Sequence, residues 1–146
     1  MRIARAWPVA LLAAFLVHNL EEALTYPLYR EDVQDFVRAN LAAGFTAPSS
    51  AGFHLALIVV SGLAIVAMGL AVICPAKPIS TLLVRGLSWI MLGNVFLPHL
   101  PAAILLGGYV PGLVTALAIN LPLALTALLA TRGKRQPAAL FKRPAE

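Results

Sequence analysis

His18, Glu21 and Glu22 stand at i, i+3 and i+4, so on a helix one imidazole and two carboxylates share a face and can converge on one ion or substrate. The run that carries them is apolar. Residues 7–28 make a helix of about 33 Å at ~1.5 Å per residue, which matches a hydrocarbon core of about 30 Å. An acid at the centre of a membrane helix costs about 2.5 to 3.5 kcal/mol on insertion, and adjacent glutamates incur it twice unless protonated, paired or metal-bound. The segment therefore needs polar partners from other helices. His54 and His99 are the remaining histidines of the chain. Three imidazoles and two carboxylates drawn from three helices are ligand types that zinc, iron or manganese take in bundle cores.

The elements that must position these residues follow from composition. With 60% hydrophobic and 12% charged residues in a chain of 146, the sequence lies outside the range of a soluble domain. It predicts an all-α integral membrane four-helix bundle over residues 1–131, followed by a basic cytoplasmic tail over 132–146. The spans are residues 7–28, 52–74, a third within 79–106, and 109–131. The net charge of +5 does not point to nucleic acid, because the basic residues flank span ends and are not interleaved with aromatics on one face. Arg2, Arg5, Lys77, Arg85, Arg132, Lys134, Arg135, Lys142 and Arg143 fall on one side of a four-span threading. Arg30 and Arg38 fall on the other, offset by Glu31, Asp32 and Asp35. This bias predicts a multi-pass cell-membrane protein with both termini cytoplasmic. A signal peptide is the competing reading of the N-terminus, but no small-x-small cleavage site follows the apolar stretch. The lone Cys74 reads as a packing residue.

Along the chain, Trp7 and the pair Tyr26 and Tyr29 suit the two membrane interfaces, and Pro27 is expected to help end the first span. Val33, Phe36, Val37 and Leu41 recur at helical spacing opposite Glu31, Asp32, Asp35 and Arg38. They predict a short amphipathic outer helix on the membrane surface, either a plain linker or a lid over the bundle. Ala10 with Ala14 and Ala67 with Ala71 offer small-xxx-small contacts between helices. Pro98 and Pro101 predict a kink or break in the third span, with Asn94 and His99 flanking it and freed carbonyls lining a polar cavity.

Counting at ~1.5 Å per residue from the cytoplasmic boundary puts His18 at about 16 Å, Glu21 and Glu22 at about 21 to 22 Å, and His54 and His99 between about 20 and 28 Å. All lie in the outward half. That coincidence of depth selects His18, Glu21, His54 and His99 as metal ligands, although His54 alone also reads as a helix-to-helix hydrogen-bond partner. Glu22 is expected to act as proton shuttle or to support the ligands from behind, and Asn94 to border the cavity, so these two are the candidate catalytic residues. Asn120 and Thr115 are the polarity assigned to the inward half.

His18-Asn19-Leu20-Glu21-Glu22 resembles the motif of the HXXEE family of small four-span membrane proteins. That resemblance implies only that His18, Glu21 and Glu22 are signature positions. The leading expectation is a membrane-embedded enzyme, dependent on a divalent transition metal, acting on a lipid or small hydrophobic substrate that arrives from the bilayer. A metal-free acid/base isomerase is the nearest alternative, and metal analysis separates the two. A small proton or metal transporter would need a continuous polar route, which the inward half does not offer. A non-catalytic membrane subunit is a further alternative.

Overall fold

A computed structural model describes residues 5–40 and 46–132. It contains four helices long and apolar enough to cross a membrane: α1 (Ala6–Asn40), α2 (Ser50–Ile73), α3 (Pro78–Leu106) and α4 (Leu113–Ala130). The expected all-α four-helix architecture is thus the one found. Short connections at 74–77 and 107–112 make successive helices antiparallel neighbours, and α1 packs against the other three. Of the basic tail, all beyond Arg132 lies outside the described residues.

The polarity of the bundle is that of a protein dissolved in lipid. Leu28 and Leu97 are 78% and 76% exposed, whereas His18, Ser88 and Asn120 are fully buried. Apolar side chains outside cost nothing in a bilayer, while polar groups must be satisfied inside. Toward the α2–α3 turn the interior is filled by Leu11, Met68, Val84 and Met91 among the small residues Ala14, Ala64, Ala71, Ala124 and Ala127. Lipid gives apolar helices no hydrophobic reason to associate, so van der Waals contact through small residues carries the packing.

Pro27 does not end α1. A proline leaves the carbonyl four residues back without its donor, here that of Ala23. Nε2 of His54 on α2 lies 2.9 Å from this oxygen and supplies the missing bond. The helix accordingly runs on to Asn40, 35 residues in all and about 52 Å long. The outer amphipathic segment expected as a separate surface helix is therefore the last part of α1, with Leu41 outside the described residues. The loop before α2 fastens this extension. Tyr26 Oη and Arg30 Nε donate to the Pro48 carbonyl at 2.8 and 3.1 Å, and the Ala47 N–H donates to Gln34 Oε1 at 2.9 Å. The Tyr26 ring also stacks on Phe53, with centroids 3.8 Å apart.

The break expected in the third span takes the form of a π turn over Val95–His99, where the Leu100 N–H reaches the Val95 carbonyl five residues back. α4 repeats the device over Ala116–Asn120, with the Leu121 N–H on the Ala116 carbonyl. Each π turn is followed at once by Leu-Pro, at Pro101 and Pro122. A proline ring collides with the carbonyl four residues back, and a widened turn relieves that collision. The helices stay intact, but their registers shift beside the polar interior.

Candidate functional site

α1, α3 and the turn leading into α4 converge on His18. Its Nδ1 lies 2.9 Å from Thr115 Oγ1 and its Nε2 lies 2.7 Å from Asn94 Nδ2. The Thr115 hydroxyl has its own acceptor in the Gly112 carbonyl, 3.4 Å away, so it accepts from Nδ1–H while Asn94 donates to Nε2. This network assigns the tautomer and leaves Nε2 as the basic nitrogen. Glu22 Oε1 is 3.7 Å from His18 Nε2 and 3.4 Å from His99 Nε2. The His99 nitrogen is buried and makes no hydrogen bond. The two imidazoles meet edge to face with centroids 5.0 Å apart. One ligand atom from each of His18, Glu22 and His99 lies within 4.8 Å of the others. Among the described residues this is the group with metal-ligand spacing.

Gly112 closes the site from the α4 side. Its φ is +82°, a left-handed conformation that side chains disfavour. A Cβ there would lie 2.7 Å from Glu22 Cγ and 2.8 Å from Cε1 of both His18 and His99. Only a residue without a side chain lets the backbone approach so near. Glu22 and His99 also open into an apolar pocket of about 220 Å³, which Val110 and Pro111 border just before Gly112. Val33, Phe36 and Val37 of the α1 extension line it together with Phe53 of α2, so the extension contributes to the pocket as a lid would.

Residues 9–127 match the family described as "Protein of unknown function with HXXEE motif". The chain belongs to this family. It is also 30% identical over 109 residues to "Uncharacterized protein YrkK" of Bacillus subtilis (strain 168), an alignment that covers 75% of the chain and 64% of that relative. No solved structure matches it.

Within the HXXEE motif the two glutamates part company. Glu21, expected to ligate the ion, turns to the start of α4: its Oε2 accepts the Thr115 N–H at 2.8 Å, and its Oε1 accepts the Val114 N–H at 3.3 Å and the Tyr109 hydroxyl at 2.7 Å. Helix N-termini leave such N–H groups unpaired and favour negative charge, so α1 caps α4 across space. Glu22, expected to shuttle protons, is the carboxylate of the ligand-spaced group.

His54, the other expected ligand outside this group, bonds the carbonyl freed by Pro27. His18 and His99 stand together, and Asn94 borders them at hydrogen-bond distance. Thr115, expected in the inward half, touches both His18 and Glu21 of the HXXEE motif. Gly112, Thr115 and Tyr109 are the site residues that sequence reasoning missed. The signal for Gly112 was its place in Pro111-Gly112 just before an apolar helix, where a left-handed glycine is common; for Thr115 and Tyr109 there was none. Asn120, one π turn beyond Thr115, is fully buried with neither side-chain polar atom bonded.

Proposed function

We propose that this HXXEE protein is a membrane-embedded enzyme in which His18, His99 and Glu22 hold one divalent transition metal that acts on the polar group of a lipid or other hydrophobic substrate. The spacing of the three ligand atoms carries this reading. Bonds of about 2.0 to 2.2 Å to a tetrahedral ion require ligand atoms about 3.3 to 3.6 Å apart; the two separations to Glu22 are 3.4 and 3.7 Å, and all three ligand atoms lie within 4.8 Å of one another. Two histidines and a glutamate also form a ligand set of open catalytic zinc sites, which keep a fourth position for water or a substrate oxygen. Thr115 supports the reading by holding Nδ1 of His18, so that the other nitrogen faces the ion. The apolar pocket beside Glu22 and His99 supports a substrate that enters from the bilayer rather than from water.

The bias of lysine and arginine puts both termini in the cytoplasm and this site in the outward half of the membrane. Reporter fusions after Asn40 and at the C-terminus test that orientation, and an inward position for Asn40 reverses it. Elemental analysis of the full chain, purified without chelator, tests the metal. A stoichiometric transition metal is expected, and protein that stays metal-free after incubation with zinc, iron and manganese in turn overturns the metal assignment. One contact favours a second reading: Asn94 Nδ2 occupies His18 Nε2 at 2.7 Å, so an ion on that nitrogen must displace the amide. Without a metal, Glu22 between two imidazoles is a proton-transfer relay suited to acid/base isomerisation.

A further inference from the structure

Glu22 also borders a second apolar space, on the side facing α2. A cavity of about 410 Å³ runs past Asn94 and Leu97, and another of about 400 Å³ continues toward Leu82. They share Phe15, Val60 and Ile90 as lining residues. Together they form one groove between α2 and α3, backed by α1. From Leu97 to Leu82 it follows α3 for about 22 Å, longer than the roughly 15 Å of one leaflet's hydrocarbon. Its only polar lining residues, Asn19, Glu22 and Asn94, are at the end that meets the candidate site.

Gly86 and Gly93 line this groove two helical turns apart, and a Cβ added at either would meet nothing within 4 Å. A glycine inside a helix is costly, and in membranes it normally recurs where a neighbouring helix presses close. Among the described residues no neighbour uses the room at these two positions. The apolar walls, the open space over the glycines and the single polar end fit a long, thin, apolar occupant with its functional group at Glu22. We propose that the groove holds one straight hydrocarbon chain of a lipid, extended along α3, so that chain length is read by the distance from Glu22 to Leu82. This rests on the reading of the Glu22 end as the reacting site and adds the class of substrate: a lipid with one long chain whose reacting group lies at its end.

Gly93 and Gly86 then mark a near and a far depth. The test uses the purified full chain in detergent, with labelled hexadecanol displaced by straight-chain primary alcohols from decanol to octadecanol. Wild type should retain the long chains. Gly86→Phe should discriminate against octadecanol relative to decanol by about tenfold or more, the low end of overpacking costs, while keeping its metal content. Gly93→Phe should weaken every length alike. Gly69→Ala on α2, favoured by helix propensity at a position that lines neither cavity and where a Cβ meets nothing within 4 Å, serves as the folded control and should behave as wild type. A length profile in Gly86→Phe equal to that of wild type overturns the proposal. So does a change of oligomeric state in either phenylalanine variant, which would make the groove a contact between copies of the chain. A metal-free wild type that still shows the length dependence would sink the metal reading alone, and a metal-loaded wild type without length dependence would sink the groove alone.

Discussion

Toward the α2–α3 turn the interior of the bundle is Leu11, Met68, Ala71, Val84, Ala127 and Leu128, apolar side chains chosen by volume. Toward the α3–α4 turn the same helices enclose His18, hydrogen-bonded to Asn94 and Thr115, with Glu22 and His99 at close range beside it. The first region fixes how closely the helices approach; the second uses that distance to bring one nitrogen or oxygen from each of His18, Glu22 and His99 within 4.8 Å of the others. Both π turns belong to the second region, where a shift of register re-aims side chains without ending the helix. The division teaches that packing and chemistry are separable here. Volume changes in one region should cost stability, and single-atom changes in the other should cost the ion.

The sharpest test of that contrast removes a ligand. Glu22→Gln or His99→Ala should weaken metal binding by more than about a hundredfold, beyond the 10- to 100-fold typical of losing a group that merely orients a ligand, with the fold retained by circular dichroism. Acidification should release the metal from wild type too, because histidine and carboxylate ligands must be deprotonated to bind. Gly112→Ala comes next. Gly112 is not itself a ligand, but left-handed strain and a Cβ against His18, Glu22 and His99 should cost about 2 to 4 kcal/mol in thermal unfolding and expel the ion.

Met68→Ala probes the other region. A cavity there should cost about 2 kcal/mol, the low end for such truncations because lipid supplies little of the transfer term, and metal affinity should stay within a factor of about two of wild type. Metal loss in this variant would mean that the two regions are one unit. Glu21→Gln should keep the metal and cost about 1 kcal/mol through a weaker cap on α4; equal metal loss in Glu21→Gln and Glu22→Gln would replace the division of labour with a bridging or two-metal arrangement. The smallest effect belongs to His54→Leu, about 0.6 kcal/mol for one interhelical hydrogen bond. It should appear as faster hydrogen exchange in α1 beyond Pro27, with metal content unchanged.

Four spans, their order and the burial of His18 and His99 were legible because long apolar runs and the cost of polar groups in lipid are properties of the chain itself. The course of α1 was not. Pro27 reads as a stop from sequence, and the donor that cancels it is His54, 27 residues further on and on another helix. The same contact separates His54 from the His18, Glu22 and His99 group, which depth alone does not: its Nε2 serves a backbone carbonyl, the hydrogen-bonding alternative that the sequence also offered.

The choice between the two acids shows where local reasoning stops. A helix sets Glu21 and Glu22 about 100° apart, flanking the His18 axis almost symmetrically, so one helix offers no ground for preferring either. The chain by itself determined that a histidine and a carboxylate would share a buried face, because spacing and hydropathy are local properties. Only the tertiary structure decided which carboxylate, by placing the N–H groups of Val114 and Thr115 on one flank and His99 on the other; those partners come from α3 and α4, and their positions follow from how helices far apart in sequence pack and turn.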